Sequence, residues 1–372
     1  MTHYGVLVAN GLGRAGVEVD VITCAEFQLH FLEPNVRVLP FRKSVDPRRS
    51  IRQKTWDMIN YYYHLVIFLL LTDIKVFHFF YHRYYFIEGV IFNAIIKLRG
   101  KQLIYEVHNV WPHNKRGNKY IYLCQKFAYH ICDVLVCHNK SSKKDLVDDF
   151  SISTDKIEVI PIGLLNHIPK SNLANIDAKR MLLPPECIDY PTLLFFGKIS
   201  PYKGIEFLIQ ACQILYRKTK FFLIIAGDKS GAVTYWEKIK TLIEESLPET
   251  NYSLKPFYIP DEEMEIYFKA ADVVIIPYLE IYQSFIHMQA FYFGKPVIAT
   301  DIGSFREDIM EGKMGYIVPP NNPIALAKAI DTFVLEMLPN FAVISEFIQN
   351  EADRKFSWDE SAKSYVSLYK FE

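Results

Sequence analysis

The sequence predicts an α/β protein built from two parallel sheets, each covered by helices on both faces. Three observations predict it. Short apolar runs alternate with amphipathic segments over most of the chain, the rhythm of strand–helix–strand units in a parallel sheet. One polar stretch, 163–185, breaks that rhythm near the middle and reads as a linker. The chain has 372 residues, whereas single cores stop growing near ~250–300, so two domains are expected.

In order, a first helix runs from Thr2-His3-Tyr4 to Gly16, a good C-cap residue, and a strand follows at 17–24. Buried strands are expected at 74–80, 102–108 and 133–138, with helices between them such as 120–131, and a short strand at 156–161. Beyond the linker, strands are expected at 192–196, 221–226, 254–258, 273–277, 296–300 and 314–318. Helices are expected at 204–216, 233–247, 261–270, 284–293 and 323–338, with a helical tail from Asp353 that contains Trp358. Sheets of this type bind ligands beyond the carboxyl ends of their strands, so two such halves form a deep cleft.

Composition excludes several function classes. Lys and Arg total 42 and Asp and Glu total 42, so the charge balance offers no electrostatic reason for a nucleic-acid partner. The cysteines Cys24, Cys124, Cys132, Cys137, Cys187 and Cys212 are scattered without zinc spacing and read as buried thiols of a reducing compartment. The first residues are too polar for a signal peptide. The longest apolar run, 65–71, is far short of the ~20 residues that span a bilayer. A cytoplasmic location is expected, with peripheral contact at the inner face of the membrane. Arg42-Lys43 and Arg48-Arg49, near Arg52 and Lys54, read as a solvated loop or as a contact for anionic headgroups. The aromatic crowding at 61–63 and 77–86 reads as core packing or as a lipid-facing surface.

The segment FGKISPYKG, 196–204, carries the strongest chemical signal. A strand ends at Phe196, Gly197 permits close backbone approach, and Lys198 and Lys203 bracket a loop that enters a helix at Gly204. Two ammonium groups beside a helix start suit a diphosphate. In isolation, two solvated surface lysines explain the segment better. VIPIGL (159–164), LIIAGD (223–228), YIPDEEMEIYFKAAD (258–272), VVIIPY (273–278) and FGKPVIATDIGSFRE (293–307) accompany it in order.

Together these segments resemble the retaining glycosyltransferases of family 4 (glycosyl transferases group 1), and the resemblance spans nearly the whole chain. It implies the GT-B fold: two Rossmann-like domains facing a deep cleft, with 1–165 binding acceptor and 166–350 binding the nucleotide sugar. It further implies that the helix at 351–372 packs back on the first domain. The implied partners are a nucleotide-sugar donor and a glycan or lipid-linked acceptor of surface polysaccharide or glycolipid biosynthesis, with peripheral membrane contact.

The family's Glu-x7-Glu motif falls on Ile281 and Gln289, with Glu280 beside the first position. Gln283-Ser284 resembles a Gln-Ser-Gly variant, with Phe285 in the place of Gly. The donor-binding set implied is Gly197, Lys198, Lys203, Glu280, Gln283, Ser284, Phe285, Ile286 and Gln289, the amides of 284–286 cradling a phosphate and Gln289 meeting a ribose hydroxyl. His108, in EVHNVWPH at a strand's carboxyl end, is the implied catalytic histidine, hydrogen-bonding the transferred sugar. His113 is a weaker candidate, and His138-Asn139-Lys140 closes a nearby strand. His78 and His82 read as structural or as acceptor contacts, and His287 reads as packed.

No metal-ligand spacing and no Asp-x-Asp dyad are visible, so neither metal nor cofactor is expected, and lysines with helix termini would stabilise the leaving diphosphate. The opening resembles the family's first helix, which implies a first domain lacking its first strand and Gly-rich loop. Two readings follow: an active transferase, or an impaired GT-B protein serving as a partner in glycan assembly. A GT-B sugar-nucleotide epimerase fits the segments less well.

Overall fold

The structure is a computed structural model that describes residues 2–24, 32–42, 49–111, 117–164, 168, 170–281 and 284–370. The chain packs as two compact units, 1–163 with 356–372, and 164–355.

In the first unit, α1 (Thr2–Arg14) leads into β1 (Val19–Cys24), which pairs in parallel with β2 (Val36–Arg42). The strand β2 carries Pro40 and was not apparent in the sequence pattern. A long helix follows, α2 (Ile51–Leu71), whose capping box joins Ser50 and Gln53. Then come β3 (Val76–Phe79), α3 (Asn93–Leu98), β4 (Gln102–Glu106), α4 (Lys119–Ile131), β5 (Val134–Cys137), α5 (Lys140–Phe150) and β6 (Ile157–Val159). The last four strands make one parallel sheet in the order β3-β4-β5-β6, separate from the β1–β2 pair. Every residue of β4 is buried, as strands covered on both faces must be. The tail helix Trp358–Leu368, N-capped by Ser357, packs on α1, and the Ser361 hydroxyl donates to the Pro161 carbonyl at 3.1 Å.

The apolar run 65–71 is the last two turns of α2, and among the described residues no helix is long and apolar enough to cross a membrane. The aromatic-rich region divides: Phe77 and Phe92 are buried, whereas Tyr63, Tyr81, Tyr84 and Phe86 are exposed. Cys124, Cys132, Cys137, Cys187 and Cys212 are buried free thiols, and the Cys24 side chain lies outside the described residues.

The second unit corrects the linker expectation. The stretch 163–185 contains a helix, α6 (Asn175–Leu182), with only Ala178 buried. Polar contacts hold it: Lys179 Nζ lies 2.6 Å from Asp272 Oδ2, which also accepts the Thr192 amide at 2.8 Å. Ser171 N donates to Glu265 Oε1 at 2.7 Å. A helix anchored by charge rather than by an apolar stripe has no periodicity to read.

The elements that follow are β7 (Thr192–Phe196), α7 (Ile205–Leu215), β8 (Phe222–Ala226), α8 (Val233–Ser246), β9 (Tyr252–Lys255), α9 (Asp261–Ala270), β10 (Val273–Ile276) and α10 (Ile286–Tyr292). After them come β11 (Val297–Thr300), α11 (Phe305–Asp308), β12 (Gly315–Val318), α12 (Pro323–Thr332) and α13 (Phe341–Lys355). The six strands form one parallel sheet, β12-β11-β10-β7-β8-β9, with β7, β8, β10 and β11 buried throughout. The strand β9 lies earlier than expected, because Pro256 lacks the N–H that would extend its ladder. The helix expected at 323–338 is α12 continued by a π-helical turn, Phe333–Met337, and α13, beyond Pro339, is a helix that the sequence reading missed.

Candidate active site

In the second unit the loop 197–204 joins β7 to α7. Its first residues extend the sheet ladder: Gly197 N donates to the Ala226 carbonyl at 2.9 Å and Ile199 N to the Asp228 carbonyl at 2.8 Å. Two glycines make the close approaches possible. Gly204 sits at φ 60, and a Cβ there would come within 2.2 Å of the Pro277 carbonyl oxygen. Gly227 sits at φ 146, where a Cβ would meet the Gly197 oxygen at 2.0 Å.

Lys203 is 6 % exposed. Its Nζ donates to the Tyr278 hydroxyl at 2.5 Å and lies 4.0 Å from that ring's centroid. Burial pulls its pKa down to about 8. Tyr278 is buried, the Ser284 side chain stands beside its phenol, and its carbonyl accepts from Thr300 Oγ1 at 2.6 Å. Ser284 Oγ in turn accepts the Ile286 amide at 3.3 Å at the start of α10. A Cβ placed on Gly197 would lie 3.5 Å from Ile286 Cδ1 and 3.6 Å from Lys203 Nζ. The fold therefore brings Gly197, Lys203, Ser284 and Ile286 together around Tyr278.

The other expected donor-site residues stand differently. Lys198 is exposed and lines a cavity of about 320 Å³ with Ser200, Thr234 and Tyr235. Nearby, Ser230 and then Lys198 hold the Asp228 carboxyl below its usual range. The two lysines thus occupy unlike surroundings. Glu280 is exposed, Ile281 and Phe285 are half-buried, and Gln289 is enclosed at 2 % exposure. Gln283 lies outside the described residues. The helix α10 begins at Ile286, later than expected. His287 is packed, with Nε2 3.1 Å from Asp308 Oδ2.

In the first unit, Glu106 ends β4 fully buried, and three imidazoles face its carboxylate. His138 Nε2 lies 3.1 Å from Oε1, His108 Nε2 3.3 Å from Oε1, and His78 Nε2 3.3 Å from Oε2. None of the three contacts has hydrogen-bond geometry. Tyr4 donates to Oε1, and Tyr365 donates to Oε2 at 3.1 Å. Burial opposes the charge on Glu106, yet His138 and the other imidazoles hold its carboxyl well below the usual range. Burial pushes His108 down to about 4, so its ring is neutral at pH 7. His78 thus belongs to this cluster, whereas His82 stacks on Tyr105 with centroids 4.2 Å apart. His113 lies outside the described residues. The sequence shows no metal-ligand spacing, but the fold gathers Glu106, His108 and His138 with ligand atoms all within 4.8 Å of one another.

Residues 187–340 match the family described as Glycosyl transferases group 1, and residues 3–164 match Glycosyltransferase Family 4. Between them, these two glycosyltransferase domain families match most of the chain.

Among curated relatives, it is 28% identical over 65% of its length to an uncharacterized glycosyltransferase of Methanocaldococcus jannaschii, of which the match spans 61%. It is 23% identical over 99% of its length to the D-inositol 3-phosphate glycosyltransferase of Corynebacterium glutamicum, spanning 91% of that protein. Among solved structures, Anabaena HepE in complex with UDP-glucose superimposes with a TM-score of 0.74 at 16% identity, covering 99% of this chain and 96% of that one. The two parallel-sheet units match the GT-B fold of such glycosyltransferases.

Two site residues of this GT-B chain escaped the sequence reading. Tyr278 reads there as the end of an apolar strand, and Glu106 as part of the histidine string. The signal available for Glu106 was an acidic residue closing an otherwise apolar strand, QLIYE, which is costly to bury without partners.

Proposed function

We propose that this chain is a retaining glycosyltransferase that moves a hexosyl group from a nucleoside diphosphate sugar to a glycan or lipid-linked acceptor, in surface polysaccharide or glycolipid biosynthesis. The observation that carries the reading is the buried Lys203 ammonium, held on Tyr278 beside Gly197 and Ser284 within the group 1 domain. A buried cation without a carboxylate in its first contacts is costly, and a diphosphate offsets that cost. UDP-glucose, the ligand of the Anabaena protein, sets the class of donor to test.

In this reading Lys203, the close backbone approach at Gly197 and the amides of 284–286 hold the diphosphate, and their preorganised positive potential stabilises it as it leaves. Lys198 and Glu280, with Gln283, Phe285 and Gln289, complete the donor contacts. The acceptor hydroxyl attacks the anomeric carbon on the face the diphosphate leaves, and the leaving phosphate takes the hydroxyl's proton. Neutral His108 donates a hydrogen bond to the transferred sugar. No metal is needed for these steps.

The acceptor side is read as membrane-linked because α2 presents Trp56, Ile59, Tyr63, Ile67 and Leu70 exposed along one face. Exposed Arg52 and Lys54 stand at its start, suiting an anionic lipid surface at the inner membrane face. Arg49, by contrast, pairs with Asp57.

The test is donor turnover. Purified chain is incubated with UDP-sugars and membrane extract, and nucleoside diphosphate release is measured together with the anomeric configuration of the product. Acceptor-dependent release with retained configuration is the expected result. Binding of nucleoside diphosphate without any turnover would instead favour the impaired partner protein, the reading motivated by Ile281 and Gln289 in the Glu-x7-Glu positions.

A further inference from the structure

We infer that Glu106, His108 and His138 form a binding site for a zinc-class divalent cation within the first unit. The inference is independent of the transferase reading and uses residues of that unit alone.

Proton placement comes first. His138 Nδ1 lies 2.9 Å from the Ile160 carbonyl oxygen, which can only accept, so Nδ1 carries a proton. In the neutral ring Nε2 is then a bare lone pair. It faces the carboxylate oxygen Glu106 Oε1 at 3.1 Å, with the His138 side chain 1% exposed and that of Glu106 0%. Two lone pairs held this close in a dry site repel. A cation between them removes the conflict, and so would a second proton on His138, which is the competing explanation.

Geometry favours the cation. His108 Nε2 lies 3.3 Å from the same oxygen, also without a hydrogen bond, so two imidazole nitrogens converge on one carboxylate atom. Tyr4 already donates to this oxygen, and a second proton on His138 would still leave His108 Nε2 facing it outside hydrogen-bond geometry. For metal–ligand bonds of ~2.0–2.1 Å, the edge of a coordination tetrahedron is about 3.3–3.4 Å. The observed N···O separations of 3.1 and 3.3 Å approach that edge, and the three ligand atoms, which lie within 4.8 Å of one another, would close further on a bound ion by rotation of the imidazoles.

The supporting groups also fit. The Ile160 carbonyl fixes the His138 tautomer, and Tyr365 donates to Glu106 Oε2 at 3.1 Å, the kind of outer contact that orients metal ligands. His78 Nε2 stands 3.3 Å from Oε2, a further nitrogen on the carboxylate's other side. Two imidazoles and one carboxylate suit zinc better than magnesium or calcium, which prefer all-oxygen sites. Coordination of His108 through Nε2 leaves its proton on Nδ1, so the ring remains a hydrogen-bond donor.

The full chain, stripped with a chelator and checked by circular dichroism for folding, is titrated at pH 7 with zinc by calorimetry and with cobalt(II) by visible absorption. Expected are one equivalent of zinc, a tetrahedral cobalt spectrum, and a thermal midpoint that rises with zinc concentration. Outer-contact losses alone cost ~10–100-fold in metal affinity, so removing a ligand by H138A or H108A should cost on the order of 100-fold or more. A folded wild-type chain with no stoichiometric zinc and no tetrahedral cobalt spectrum overturns the site and leaves the doubly protonated His138. Zinc binding unchanged in folded H138A overturns it as well. Should either variant fail to fold, the wild-type cobalt spectrum still decides.

Discussion

The two units solve the same problem, a buried parallel sheet, with opposite amounts of polarity at the strand ends. In the second unit six strands pair without a break, and the buried cation of the loop 197–204, Lys203, is set against a phenol beside Gly197. In the first unit the strands divide into a pair and a set of four, and a strand ends in a carboxylate ringed by three imidazoles and two phenols. The difference teaches where each unit keeps its unspent electrostatics. Lys203 is a buried ammonium set on a phenol, and Glu106 is a buried carboxylate faced by imidazole nitrogens.

The largest effect is expected where backbone geometry leaves no alternative. Gly204→Val should destabilise the second unit by ~1–3 kcal/mol from the left-handed conformation alone, and by more from the clash with the Pro277 carbonyl. Thermal unfolding measures it. A midpoint equal to wild type would show that the loop does not need this approach.

The charge comparison is sharpened by Lys203→Met, which keeps the stem and removes the ammonium. UDP affinity in calorimetry should fall by ~1.5–3 kcal/mol, about 10- to 150-fold, the range of a charged hydrogen bond. Unchanged affinity would remove the diphosphate assignment. Lys198→Ala should cost less, because Lys198 is exposed and solvent screens it.

The pH dependence has a definite sign. Lys203 carries its charge below its pKa of about 8, so UDP affinity should decline as pH rises through that value. Its contribution to folding runs the other way. Between about 8 and the unfolded value of 10.5 the unfolded chain binds more protons, so this group's contribution makes stability rise with pH in that window. Titrating affinity and thermal midpoint across pH 7–10, against Lys203→Met, separates the two.

The smallest effect on folding is expected at the surface of α2. Trp56→Ser should change stability by no more than ~0.5 kcal/mol, as exposed positions usually do, yet lower co-sedimentation with anionic vesicles. Equal sedimentation of variant and wild type would leave the exposed stripe without a membrane role.

The strands β7, β8, β10 and β11 were legible in the sequence because both-face burial writes continuous apolar runs such as TLLFF and FLIIA. The helix α6 was not, since its hold comes from Lys179 and Asp272, a pair distant in sequence. The loop 196–204 was legible as a site because glycines and lysines stand in one short segment. Its unlike lysines were not: burial of Lys203 depends on Tyr278 arriving from another strand, while Lys198 stays at the surface. Glu106 was passed over for the same reason, since His78 and His138 reach it from the strand-end segments on either side.

The sequence by itself determined the α/β class, the strands of the second unit and the FGKISPYKG loop, because these depend on local runs of apolar residues and on glycine positions. Tertiary structure alone decided that Lys203 is a buried ammonium, that 163–185 holds a helix rather than a plain linker, and that five scattered residues converge on one carboxylate. The physical reason is that burial and pairing are set by neighbours in space. A titratable group's chemistry follows from what surrounds it, and those surroundings come from parts of the chain that no local pattern connects.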